Sequence, residues 1–300
     1  MTASACPACR AKGASIFVAE PRDLEYFSAR NVPAMVMRCD TCRSLFQDPW
    51  PSAAEVRQLY GSDYQNYGST SVPLLARLDA LYQRRQGAAF LARYGGHVSV
   101  LDFGCGQGGF LRALAALGCT GLAGFDFVLY EELHDTPSTR FYDDVDAILE
   151  SDQRFDVIRM RHVVEHLTDL DGTMGKLARL LAPGGRIIGE TPNAAHYTST
   201  LMGKYWGPIH FPYHTVVFSV RGFEQAAQRW GLELVETSGA LLPTGWAMSC
   251  ENMLKAWTGS RRRGRTSIYA LLMAAAMPLA LIDRLVQPRA TANFDFVLSA

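Results

Sequence analysis

The chain has no excess of either charge: 29 lysines and arginines stand against 29 aspartates and glutamates in 300 residues. That balance excludes a protein drawn to nucleic acid by its net field, and no nucleic-acid partner is expected. It also lacks an uninterrupted apolar run of the roughly 20 residues that a bilayer-crossing helix needs. Met1 to Cys6 shows no basic start leading into an apolar stretch, so no secretory signal is expected, and the expected compartment is the cytoplasm. Cysteines number seven, an odd count that does not read as a disulfide framework. Apolar residues are plentiful: 48% is hydrophobic, enough for one α/β core of roughly 200 residues with attachments.

The stretch 98–112 organises the chain. Apolar residues at 98, 100, 101 and 103 suit a strand buried on both faces, and Phe110, Leu111, Leu114 and Leu117 fall at helical spacing. Between them Gly104, Gly106 and Gly108 leave out side chains where a ligand lies against backbone, and the helix start beyond offers unpaired N–H groups. Asp102, two residues ahead of the first glycine, favours a ligand ammonium or hydroxyl over phosphates. Yet Gly104, Gly106 and Gly109 also satisfy G-x-G-x-x-G, so an NAD-dependent oxidoreductase is an alternative on the loop alone.

Four later features accompany Asp102-Phe-Gly-Cys-Gly-Gln-Gly108: Gly124-Phe-Asp126, Phe155 to Met160, His162-Val-Val-Glu-His-Leu167 and Leu181-Ala-Pro-Gly-Gly185. In this order they resemble the motif series of class I S-adenosylmethionine-dependent methyltransferases. The resemblance implies a Rossmann-like α/β sheet, mostly parallel with an antiparallel last strand. It also implies a cofactor site drawn from Asp102, Gly104, Cys105, Gly106, Gly108, Asp126, Phe127, Asp143, Asp144, Arg161 and His162. Asp126 would accept the ribose hydroxyls, and one of Asp143 and Asp144 the adenine amino group, with Asp146 competing as a helix cap. A non-catalytic scaffold is the third reading, since a binding fold does not guarantee chemistry.

Cys6-Pro-Ala-Cys9 and Cys39-Asp-Thr-Cys42 are two C-x-x-C pairs with the layout of a zinc ribbon, in which four thiolates leave a structural zinc ion no open position. The linear reading is a zinc ribbon at 1–50, linker helices and a lid at 51–95, and the cofactor domain at 96–300 with a basic and apolar insertion at 246–290. The Cys-x-x-Cys pairs with Phe46, Pro49, Pro51, Tyr60 and Tyr64 resemble a methyltransferase branch with an amino-terminal zinc ribbon, many of whose members act in sugar or surface-polysaccharide biosynthesis. A small-molecule acceptor is therefore expected, a sugar nucleotide or lipid-linked glycan among the candidates. The residues from Leu74 to Tyr94 read as an amphipathic helix with Leu74, Leu75, Leu78, Leu81 and Tyr82 on its apolar side. Tyr60, Tyr64 and Tyr67 read either as a lid or as packing between ribbon and core.

His162-Val-Val-Glu-His166 also matches H-x-x-E-H, a zinc-protease pattern that requires one helix to carry both histidines. Some quinone-pathway methyltransferases hold a divalent ion near this point, which makes Glu165 and His166 candidates and a quinone-type O-methyltransferase an alternative. Asp169 to Leu181 is a predicted helix and Arg186 to Thr191 a strand. Segment 194–218 has no periodicity and reads as a lid or binding surface. Its His214-Thr-Val-Val-Phe-Ser219 resembles the family's histidine-to-Phe-Ser motif, so His214 is the first candidate base, with His210 and His166 behind it. Ser219 is a predicted cap for a helix to Trp230. Finally Arg261, Arg262, Arg263 and Arg265 precede an apolar run, Ile268 to Ile282, broken by Pro278. Segment 261–287 reads as a peripheral membrane contact, or else as a helix packed on its own core or in an oligomer contact.

Overall fold

The computed structural model describes residues 5–28, 30, 33–60, 73–127, 133, 136 and 139–300, and for 73–76 and 78 the backbone alone. In chain order the elements are β1 (Ala14–Val18), β2 (Met35–Cys39), β3 (Leu45–Asp48), α1 (Ala53–Leu59), α2 (Pro73–Tyr94), β4 (Val100–Phe103), α3 (Gly109–Ala116), β5 (Leu122–Phe125), β6 (Thr139–Tyr142) and α4 (Val145–Glu150). Then follow β7 (Phe155–Arg161), α5 (Leu170–Arg179), β8 (Leu181–Pro192), α6 (Tyr197–Met202), β9 (Val216–Val217), α7 (Val220–Arg229), β10 (Glu233–Gly239), α8 (Thr244–Thr258), α9 (Tyr269–Val286) and β11 (Asn293–Ser299). Among the described residues two sheets form, one of four strands in the order β1-β2-β3-β9 and one of seven in the order β10-β11-β8-β7-β4-β5-β6. Two compact units divide the chain: Met1–Tyr64 with Val164–Leu170 and Glu190–Phe296, and Gln65–Val163 with Asp171–Gly189 and Val297–Ala300.

The second unit has the crossover pattern expected of the glycine-turn stretch. Strand β4 pairs in parallel with β5 and β7, and β5 with β6. Val100, Leu101 and Phe103 are buried on both faces of β4, and Phe110, Leu111 and Leu114 of α3 cover it. Helix α2 departs from expectation. Leu81 and Tyr82, placed on its apolar side by the sequence reading, are exposed, whereas Phe90 is buried edge-on against Phe110 at 5.5 Å. Gly87 lets α2 close on α3, a Cβ there lying 3.3 Å from Leu117. The far end of the helix does the packing; Leu74, Leu75 and Leu78 lie outside the residues whose side chains are described, as do Tyr64 and Tyr67.

In the first unit, β1, β2, β3 and the two-residue β9 make one antiparallel sheet, so the four-cysteine module is not a free-standing domain of residues 1–50. Val18, Val36 and Leu45 pack with Trp206, Ile209, Phe211 and Val217. Segment 194–218, expected as a lid or binding surface, is a packed part of this core and so not a lid, with Trp206 and Tyr213 almost wholly buried. Its lack of periodicity comes from several short helical turns in place of one element. Two boundaries also move: α5 ends at Arg179, and Leu181-Ala-Pro-Gly-Gly185 already belongs to β8. Ser52 and Glu55 close a capping box on α1.

Candidate active site

At the carboxyl end of β4 the chain turns through Gly104, Gly106 and Gly108, with φ of 84°, 52° and 75°. Only glycine adopts these angles without strain. The turn is tied to β5: the N–H groups of Gly104 and Cys105 both donate to the Phe125 carbonyl, and Gly106 N–H donates to Asp126 Oδ2 at 2.8 Å. Gly108 caps α3 with no side chain on the helix start, which leaves that end's amides for a ligand. A Cβ on Gly104 would lie 2.4 Å from Val163 Cγ2. Gly104→Ala is therefore expected to cost at least about 1–2 kcal/mol of stability from backbone strain alone and to weaken nucleoside binding; thermal melts and titration calorimetry check both.

Asp102 has its cation already. Arg159 on β7 donates from Nη1 to Asp102 Oδ1 at 2.6 Å, and the Asp102 side chain is 2% exposed. Asp126, which accepts from Gly106 N–H, and the exposed Asp143 stand at the same end, an acidic setting that suits a cationic sulfonium nucleoside better than a pyrophosphate. Burial pushes the Asp102 carboxyl up, opposed by the Arg159 charge. An acid with a raised native pKa binds more protons folded than unfolded, so its contribution to stability falls as pH rises from the ordinary carboxylate range through the raised value. Arg159→Met should enlarge this effect. A loss of roughly 3–5 kcal/mol near neutral pH is expected, shrinking on acidification as Asp102 takes up a proton, and urea melts across pH read it.

The remaining cofactor candidates divide. Cys105 is buried beside the turn, its thiol pushed up by burial. Phe127 is 66% exposed and edge-on to Phe125. Asp144 is the N-cap of α4, accepting from Asp146 N–H at 2.9 Å; it serves as the cap in place of Asp146, which pairs with Lys176. Arg161 donates to Tyr82 Oη at 2.8 Å. His162 is exposed with φ of 55°, and His166 lies on a 3-10 turn, Val164–His166. No helix carries both histidines, which removes the protease pattern.

A second constellation lies in the first unit. Donor atoms of Glu165, His166 and His214 are all within 4.8 Å of one another. Thr215 places them: its N–H donates to the Glu165 carbonyl at 2.8 Å, and its hydroxyl to the carbonyls of Glu165 and Leu167 at 3.1 and 2.8 Å. That staple holds the residue next to His214 against the turn bearing Glu165 and His166. Gln47 adds to it from β3, donating to the carbonyls of Pro212 and His214. Glu165 is fully buried and accepts from Thr191 Oγ1 at 3.0 Å. His214 Nδ1 lies 2.9 Å from the Pro208 carbonyl, and His166 Nδ1 lies 3.1 Å from the Tyr213 carbonyl and 2.8 Å from Tyr60 Oη. A carbonyl only accepts, so His214 Nδ1 carries a proton and that ring's lone pair is on Nε2, while His166 Nδ1 has both a carbonyl and a phenol hydroxyl as partners. The arrangement provides a carboxylate and two oriented imidazoles, able to take a proton or hold a divalent ion.

His210, the second candidate base, packs its ring 5.0 Å from that of His214 and also meets an acid. Its Nδ1 lies 3.3 Å from Glu25, which also pairs with Arg265 at 3.0 Å. Glu25, Thr215, Thr191 and Arg159 were not legible as partners in the sequence, because each meets its counterpart only through the fold.

The four cysteines also converge, with Sγ atoms within 4.8 Å of one another. Cys6 and Cys42 are 3.7 Å apart and Cys9 and Cys39 3.5 Å, too long for disulfide bonds of about 2.05 Å. The hydrogen bond from Cys6 draws the Cys42 thiol down to about 5.

A family model described as a methyltransferase domain matches residues 73–237. A ubiquinone biosynthesis O-methyltransferase from Brucella anthropi is 26% identical over 166 residues, covering 50% of this chain and 67% of that protein. One from Chelativorans sp. is 32% identical over 102 residues, covering 31% and 40%. Among solved structures, a SAM-dependent methyltransferase from Thiobacillus denitrificans in complex with S-adenosyl-L-homocysteine has a TM-score of 0.42 at 18% identity, covering 83% of this chain and 98% of that one. The chain belongs to the methyltransferase domain family, and it is an S-adenosylmethionine-dependent methyltransferase.

Proposed function

We propose that the protein methylates a hydroxyl group of a small-molecule acceptor, with Glu165, His166 and His214 preparing that hydroxyl. The cluster itself carries the reading: a fully buried carboxylate beside two imidazoles whose Nδ1 atoms are tied to backbone carbonyls. A hydroxyl is a poor nucleophile until its proton leaves, so an assembled proton acceptor favours oxygen over sulfur or an amine. Bound S-adenosylmethionine supplies an electrophilic methyl group. The turn through Gly104, Gly106 and Gly108, with Asp126, would hold it; the amides and the missing Cβ atoms there fit a nucleoside. Relatives named for O-methylation in ubiquinone biosynthesis support a hydroxyl acceptor, a phenolic one first. The sugar reading rests on the ribbon resemblance alone.

The test supplies labelled S-adenosylmethionine with catechol-type acceptors and with sugar nucleotides, and locates the methyl by NMR. Methyl on a hydroxyl is expected; methyl on carbon or nitrogen sinks the reading. In a second reading the same three side chains hold a divalent ion that would acidify the hydroxyl, favoured by their mutual distances.

The four cysteines fit a structural zinc ion. Sulfur separations of 3.7 and 3.5 Å lie near the roughly 3.8 Å edge of a tetrahedron with Zn–S of about 2.3 Å. Four thiolates leave no position for substrate.

A further inference from the structure

Helix α9 has its two faces reversed. The side turned to the protein is small or polar, with Ala276, Ala280 and Asp283 buried. The side turned to solvent is aliphatic: Leu285 is 83% exposed, Leu271 70%, Val286 69%, Ile282 52% and Leu281 48%. A helix of a water-surrounded protein shows the opposite pattern. The orientation is fixed, since Asp283 accepts from Tyr197 Oη at 2.6 Å and from Trp246 Nε1 at 2.8 Å, while the Arg284 guanidinium donates to the Gly239 carbonyl. Just before α9, helix α8 ends with Trp257 85% exposed.

The segment that carries this face is basic in sequence. From 256 to 290 the sequence carries Arg261, Arg262, Arg263, Arg265, Arg284 and Arg289, and its one acid is the buried Asp283. Arg265 is committed to Glu25 and Glu251, but Arg261, Arg262 and Arg289 are exposed. We propose that the outer face of α9, with Trp257 and these arginines, is a docking surface for an anionic lipid bilayer. A basic rim beside an aliphatic face matches acidic headgroups above acyl chains, with tryptophan and arginine at the boundary. A second copy fits worse, because a two-fold contact through this face would set arginines against arginines.

The helix lies along the membrane and does not cross it. By length and composition α9 is long and apolar enough to cross a membrane. However, its 18 residues span about 27 Å at 1.5 Å per residue, and the hydrogen bonds of Asp283 hold it side-on against its own unit. The surface would bring the enzyme to an acceptor dissolved in or anchored to lipid, although lipid binding itself requires neither cofactor nor acceptor.

The experiment is co-sedimentation of the full chain with vesicles of phosphatidylcholine alone and of equal parts phosphatidylcholine and phosphatidylglycerol. Binding to the anionic vesicles, weak binding to the neutral ones and loss at high salt are expected. Replacing Arg261 and Arg262 by Gln should lower partitioning roughly fivefold per side chain, equivalent to about 1 kcal/mol each. Leu285→Glu should abolish it with the circular dichroism unchanged, because the side chain touches little of the protein. Failure of the wild type to bind anionic vesicles overturns the proposal, as does binding that Leu285→Glu leaves intact. A dimer that Leu285→Glu dissociates, without vesicle binding, assigns the face to a second copy and overturns it too.

Discussion

If the four-cysteine cluster holds the proposed zinc ion, its removal is expected to unfold the whole first unit, not only its first fifty residues. Both knuckles are built onto α7. Ser219 at its start donates from its hydroxyl to the Cys42 carbonyl and from its amide to Ser44 Oγ. Gly222 in its first turn comes so close that a Cβ would stand 2.2 Å from Ser44 Oγ and 3.1 Å from Cys42 Sγ. At its other end Arg229 donates to the carbonyls of Pro7 and Ala8. Four thiols without an ion lose the cross-link between the knuckles and, where ionised, repel one another. Structural zinc contributes on the order of 10 kcal/mol to folding, comparable to the whole stability of a typical domain. A strong chelator, or Cys39→Ser, should therefore abolish the near-ultraviolet dichroism of Trp206 and Tyr213, both buried in this unit. Zinc release measured with a metal-sensitive dye should coincide with that loss. Protein from zinc-free medium that melts like the wild type would remove the metal from the account.

The sequence disclosed most where neighbours along the chain do the work. The turn at Gly104 to Gly108, the strand before it and the helix after it follow from local spacing, and Ser219 caps α7 as expected, accepting from Gly222 N–H at 2.9 Å. The paired cysteines were legible for the same reason. What was hidden depends on contacts between distant residues. Asp102 read as a ligand's carboxylate, and nothing local shows that Arg159 reaches it from the adjacent strand. Likewise nothing local shows that Glu25, far upstream, lies beside His210. On α2 the leucines near the start drew attention, but Gly87, which carries no hydrophobic signal, decides which part of the helix approaches α3. The long apolar run at the carboxyl end was visible, whereas only the fold reveals that its larger side chains face outward.

His214→Ala is expected to lower kcat by about 10²–10⁴-fold while leaving S-adenosylmethionine affinity within a small factor of wild type, the scale of losing a positioned proton acceptor. The separation follows from the chain: His214 belongs to the first unit, whereas the glycine turn and Asp126 belong to the second. Glu165→Gln separates two roles of the carboxylate. The amide oxygen still accepts from Thr191, which preserves the buried hydrogen bond, but the negative charge is gone, so structure should survive while turnover falls. If the cluster takes the proton directly, added magnesium or manganese changes neither wild type nor variant. If it holds an ion, the wild type loses activity on chelation by a weak oxygen chelator, recovers with a divalent cation, and Glu165→Gln needs far more of it. His210→Ala supplies the control. Its ring sits between Glu25 and His214, so its loss should lower the melting temperature and reduce kcat by far less than His214→Ala does. Combining His214→Ala with His166→Ala should cost little beyond either alone, because side chains that act as one unit are not additive. Losses that simply multiply would mean that the two rings work separately, and the cluster would no longer account for the chemistry.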